Sequence, residues 1–246
     1  MTHYIRLDVV SMVRSGYFLV FSVLFSAGFY VMFTKLFTVS GWTSAPGFAA
    51  TYMIALAVSG AFYAALTGGG IRLGEERGSG WARQLTLTPL SPRWYVLGKL
   101  VGAWLLALPA LAAIFILGAL LNQVRMPPDR WALVLAASWG GSACFAVFGV
   151  AIGLLVAGEA TQFACLGVFF PMAILGGLWF PTSAFPQTVR QVGGYLPTSA
   201  LYHLAVTAER GSGPVATPVL VLACWTALAL VVALARLRPE ALSPAR

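Results

Sequence analysis

Apolar runs close to twenty residues long recur along this 246-residue chain, separated by short polar segments. As a helix, such a run rises far enough to cross a hydrocarbon core of about 30 Å. Backbone groups left unpaired in lipid are costly, so these runs are expected to be helices rather than open strands. No stretch alternates apolar and polar positions as a barrel strand would. Six spans are predicted, at about residues 17–33, 48–67, 94–121, 131–157, 162–179 and 215–234. Pro109 and Pro171 fall inside the third and fifth, where kinks are expected. A tight turn around Gly158 and Glu159 joins the fourth to the fifth.

Three segments break this pattern. In residues 1–15, Ile5, Val9, Met12 and Val13 recur at helical spacing with Arg6, Asp8 and Arg14 between them. This suits an amphipathic helix lying on the membrane surface; a merely charged terminus is the other reading. The apolar run that follows is too long for the core of a cleavable leader. Residues 69–93 hold the densest charge, with Arg72, Glu75, Glu76, Arg77, Arg83 and Arg93, in a chain where only 9% of residues are charged. This segment is expected outside the hydrocarbon. Trp81 and Leu85, four apart, share one helix face, and Pro89 and Pro92 stop a helix there. A short amphipathic helix fixed between two spans transmits a push; a solvated loop on the headgroups is the alternative. Residues 181–204, with Pro186, Arg190 and Pro197, are too broken for a span and too apolar for an ordinary loop. A pair of short re-entrant helices fits them.

Composition sharpens the class. Hydrophobic residues make up 59% of the chain, and mean hydropathy is +0.85. The net charge of +8 reads as loop charge that orients a membrane protein, not as a nucleic-acid surface. One side of the membrane collects Arg6, Arg14, Arg72, Arg77, Arg83, Arg93, Lys99, Arg236, Arg238 and Arg246; the other has Lys35, Arg125, Arg130, Arg190 and Arg210. The richer side, with both termini and residues 69–93, is expected to be cytoplasmic. Lys99, a turn inside the third span, is the membrane-entry lysine and can reach the headgroups on its flexible stem.

Chemistry beyond this is sparse. Cys144, Cys165 and Cys224 lie in apolar runs without metal-ligand spacing and read as small core residues. His3 and His203 are the only histidines, and His203 reads as an interfacial residue. Glu159 reads as a solvated turn carboxylate rather than a proton relay. Gly149 and Gly153 form a GxxxG spacing that predicts close helix packing, within one subunit or between two.

Two sets of residues carry a resemblance. Glu76-Arg77-Gly78, Leu85, Thr88-Pro89, Ser91 and Gly98-Lys99 resemble the cytoplasmic signature of type-2 ATP-binding-cassette (ABC) exporter permeases. That signature runs Glu-Arg-Glu-x-Gly-Thr, a leucine-bearing helix, Thr-Pro, and a Gly-Lys entering the third helix. Residues 176–181, Gly-Gly-Leu-Trp-Phe-Pro, then Phe185-Pro186 and Tyr195-Leu196-Pro197, resemble the family's segment before the last helix. Ala45-Pro46-Gly47 before the second span also fits. Gly78 stands where the family often has a second acid, and Trp81 replaces the usual Thr.

The resemblance implies one all-α transmembrane permease domain over residues 1–246, in a plasma membrane. It would have six spans, a surface helix at 1–15, a coupling helix in 69–93 and a re-entrant pair in 181–204. It implies pairing with a second copy or a homologous permease, and a cytosolic ATPase docking at Glu76, Arg77, Gly78, Trp81, Leu85, Thr88 and Pro89, with residues 1–15 alongside. Gly176, Gly177, Pro181, Pro186 and Pro197 would form an outer gate, hinged at the two glycines because glycine tolerates unusual backbone angles. The chain carries no phosphate-binding loop, since Gly98-Lys99 lacks the upstream glycine and is followed by Leu100. ATP is therefore expected on the partner, no cofactor on this chain, and membrane lipid around it. Tyr30, Phe169, Phe170 and Trp179 suit a hydrophobic or amphipathic cargo such as a drug, antibiotic or lipid, or they simply face lipid and neighbouring helices. Rival readings are an integral-membrane enzyme or lipid-modifying protein, which lacks an evident nucleophile or acid/base pair, and an assembly factor.

Overall fold

A computed structural model describes residues 16–39, 47–81 and 91–236. The expected surface helix at 1–15 lies outside these residues, as does the second half of the coupling segment. Among the described residues eight helices follow one another: α1 (Gly16–Val39), α2 (Phe48–Gly78), α3 (Pro92–Leu121), α4 (Pro128–Leu155), α5 (Ala160–Leu175), α6 (Gln187–Gly194), α7 (Pro197–Arg210) and α8 (Ala216–Arg236). A single 3-10 turn, Thr182–Ala184, lies between α5 and α6. Among the described residues there is no strand. Four helices, α2, α3, α4 and α8, are long and apolar enough to cross a membrane, and α5 is a shorter apolar helix.

The centre of the bundle is α2, which packs against α1, α3, α4, α5 and α7. Of its most apolar stretch 83% is buried within the protein, against 22% for α8, so α2 is the axis and α8 a lipid-facing wall. The second span was expected to end near residue 67, but α2 runs unbroken to Gly78. At 1.5 Å per residue it is about 46 Å long and outreaches the hydrocarbon by several turns. Gly68-Gly69-Gly70 does not break it, and at Gly69 and Gly70 other helices come close. A methyl group on Gly70 would stand 2.7 Å from Cys165 Sγ and 2.9 Å from the Gly149 carbonyl. On the facing helix, a methyl on Gly149 would overlap the Leu66 carbonyl and one on Gly153 would sit 2.7 Å from that of Gly70. The GxxxG spacing thus packs α4 on α2 within one subunit. Without a hydrophobic drive between helices in lipid, such backbone approach is a main source of association.

Other points of comparison with expectation are local. The fifth helix stops at Leu175, and Gly177 (φ 77°) turns the chain before Trp179. Pro109 and Pro171 lie inside continuous helices. The 181–204 segment holds two short helices, α6 and α7, and α7 runs on to Arg210. Cys144 and Cys165 are buried as expected, whereas Cys224 is exposed on α8. α3 and α4 are joined by a stacked pair, Trp104 and Trp139, with ring centroids 4.2 Å apart and planes within 3°. Each indole N–H donates to the other residue's carbonyl, at 2.8 and 3.2 Å.

Candidate functional site at the charged end of α2

In the last turns of α2, Glu76 collects donors from two helices. Lys99 Nζ donates to Glu76 Oε1 at 2.6 Å and Tyr95 Oη to Glu76 Oε2 at 2.6 Å. Arg72, one turn back on α2, donates from Nε to Oε1 at 3.4 Å. Tyr95 and Lys99 are four apart on α3, and the ammonium lies 5.4 Å from the Tyr95 ring centre. Lys99 is 1% exposed. The ammonium expected among the headgroups is instead folded inward onto a carboxylate. A buried ion pair gains little over a well-packed apolar pair, but breaking one partner strands the other charge. The contact therefore holds the end of α2 to the start of α3.

Arg77 does the same towards α4. Its Nη1 donates to the Gly153 carbonyl at 2.6 Å and lies 3.5 Å from that of Val156. Helix ends leave their last carbonyls without intrahelical donors, and a cation at a helix C-terminus is also favoured by the dipole. Arg77 is 7% exposed, so the guanidinium serves the bundle interior. Beside it the turn between α4 and α5 lies on α2, with Gly158 N–H donating to the Gly74 carbonyl at 2.8 Å. Thr161 at the start of α5 donates to the Val156 carbonyl at 3.1 Å. A methyl on Gly78 would stand 2.7 Å from Gly158 Cα. A second acid at this position, as the signature often has, would collide with that turn.

Trp81 ends the described part of this segment and is 50% exposed. Leu85, Thr88 and Pro89 lie outside the described residues. The segment thus has two faces, with Glu76, Arg77 and Gly78 turned to neighbouring helices and Trp81 turned outward.

Trp179, between the expected gate residues Gly177 and Pro181, is bound to the other half of α2. Trp179 Nε1 donates to Ser59 Oγ at 2.9 Å, and Tyr52 Oη donates to the Trp179 carbonyl at 3.2 Å. Phe29, Phe169 and Phe170 surround its indole with centroids 4.9, 5.8 and 5.6 Å away. Tyr52 and Glu76 are about 36 Å apart along the helix axis. Gly176 sits against Thr198, whose hydroxyl donates to the Met172 carbonyl at 2.8 Å. Pro181 and Pro186 immediately precede helical turns and Pro197 begins α7, so all three start elements rather than interrupt them. Tyr52, Ser59 and Tyr95 went unnoticed in the sequence, and Gly158 was read only as part of a tight turn. Only Tyr95 carried a signal, its i, i+4 spacing to Lys99.

Comparison with known proteins agrees with this arrangement. Residues 43–235 match the model of the ABC-2 family transporter proteins. The chain is also 26% identical over 229 residues to "Putative transport permease YvfS" of Bacillus subtilis (strain 168), with 90% of each chain covered. A match over most of the chain, on a bundle of long apolar helices, places this protein in the ABC-2 transporter family as a multi-pass membrane permease, whose ATP is bound and hydrolysed by a partnering ABC ATPase.

Proposed function

We propose that this permease exports a hydrophobic or amphipathic compound, such as a drug, antibiotic or lipid, from the cytoplasm. With α1 and α5 counted among the spans it crosses the membrane six times, with both termini and residues 69–93 inside. Two permease subunits, identical or homologous, enclose the path. The ATPase docks on the outward face of residues 76–89, through Trp81 and Leu85, with residues 1–15 beside it.

One observation carries this reading: α2 is a single 31-residue helix joining the charged bracket to the Trp179 aromatic cluster. A displacement of its charged end by a docked ATPase is carried along a stiff rod to the aromatic end. Glu76 and Arg77 brace this rod against α3 and α4 rather than touching the ATPase themselves. At the far end Trp179 is held by two hydrogen bonds and packed among phenylalanines, so a shift of α2 opens or closes that cluster. The aromatic walls support an apolar cargo, since they offer area and π faces but few fixed polar partners.

The test uses inside-out vesicles carrying the permease with its ATPase. ATP should drive uptake of an amphipathic fluorescent dye from a panel. ATP-driven movement of polar solutes alone would contradict the cargo class, and ATP-driven loss of preloaded dye would contradict export.

A further inference from the structure

Away from both ends of α2, a cavity of about 390 Å³ opens where α7 turns into α8. Its lining includes Ala200, His203, Val206, Arg210, Thr217 and Val221. Arg210 is its one formally charged lining residue, and no carboxylate lines it. Glu209 precedes Arg210 in the chain and Asp129 is the ion-pair partner of Arg130, and neither is part of the wall. Among the described residues the Arg210 side chain makes no ion pair or hydrogen bond. Behind it, the Arg130 guanidinium packs on Gly211, donates to the Ala208 carbonyl at 3.3 Å and is paired with Asp129 at 3.8 Å.

The depth of this cavity follows from the fold. It lies at the non-helical turn 211–215, the point where the membrane-crossing α8 begins. That is where the headgroups of the surrounding bilayer stand. From there the outward face of α8 continues as an apolar wall, with Leu220, Leu228 and Val231 exposed by more than half. The features occur in the order a lipid presents them: a cation and hydroxyls at the mouth, then aliphatic surface running into the bilayer.

We infer that this cavity is a binding site for an anionic phospholipid, whose phosphate pairs with Arg210 and whose acyl chain lies along α8. Guanidinium binds phosphate through paired, charge-assisted hydrogen bonds. His203 and Thr217 line the same cavity and supply neutral partners for the remaining headgroup oxygens. A zwitterionic lipid brings its own cation to a wall whose one formal charge is already positive, and binds more weakly.

The full-length protein in neutral detergent is titrated with dioleoylphosphatidylglycerol, dioleoylphosphatidylcholine and inorganic phosphate, and bound states are read by native mass spectrometry. Phosphatidylglycerol should bind more tightly than phosphatidylcholine, and phosphate alone should not displace it. Arg210→Gln should weaken the tightest phosphatidylglycerol site about tenfold. Val221→Trp, which fills the cavity without altering charge, should weaken it as well. Arg236→Gln removes one charge elsewhere and should leave that site unchanged. Equal binding of the two lipids, displacement by phosphate, undiminished binding in both cavity variants, or an equal loss in Arg236→Gln would each overturn the assignment.

Discussion

Glu76 holds one carboxylate against three donors, and the two sides of its main contact are unequally buried. Lys99 is 1% exposed, while the Glu76 side chain keeps 17% of its surface and two further donors, Tyr95 and Arg72. Removing the carboxylate therefore takes a counter-charge from the more deeply buried group, whereas removing the ammonium leaves a more exposed carboxylate that still accepts from Tyr95 and Arg72. Glu76→Gln should cost about 3 kcal/mol of stability and Lys99→Met about 1 kcal/mol. The double variant should be more stable than Glu76→Gln alone, which a double-mutant cycle of unfolding in mixed micelles reads directly. Equal costs, or simple additivity, would mean that the pair is not coupled as its geometry requires. In the sequence these charges were conspicuous because so few others exist. Their partners were not, since Glu76 and Lys99 are 23 positions apart and meet only when α2 and α3 pack. Arg77 was expected at the ATPase contact, and its cap on the end of α4, 76 residues further on, was not legible for the same reason.

At the scale of elements, the long apolar runs were legible because lipid demands them, and the four helices long enough to cross, α2, α3, α4 and α8, begin close to where hydropathy put them. The extension of α2 was not. Gly68-Gly69-Gly70 weakens a helix locally, and the compensation comes from Gly149 and Gly153 on another helix. The same residue type has opposite consequences a few turns apart on α4. A methyl on Gly149 overlaps the Leu66 carbonyl, while one on Gly140 meets nothing within 4 Å. Gly149→Ala should force α4 off α2 and destabilise by about 2 kcal/mol, whereas Gly140→Ala should stabilise by up to about 1 kcal/mol through helix propensity and a stiffer unfolded chain. Thermal denaturation of the two variants in one detergent checks the signs, and a destabilised Gly140→Ala would show that the outward face of α4 is covered. Gly78 shows a related limit of reading by motif. The family often has an acid at this position, yet the turn at Gly158 leaves no room for a side chain there.

Over the whole molecule, the family is settled by the match across residues 43–235, and the structure adds how its two regions of interest are joined. The charged bracket and the Trp179 cluster sit at opposite ends of α2, which is tied to α3 through Glu76 and to α4 through Arg77. The stacked Trp104 and Trp139 then fasten α3 to α4. These ties make α2, α3 and α4 a single stiff body, and Trp81 projects from its charged end. The account stands on the partner ATPase gripping that projection. Co-purification of the ATPase with the full-length permease in detergent measures it most directly. Trp81→Ala with Leu85→Ala should remove most of the bound ATPase while leaving the permease inserted and folded, and Trp94→Ala, another exposed tryptophan, should leave it in place. An undiminished yield of ATPase with a folded double variant would contradict the docking face and, with it, the path of force through α2.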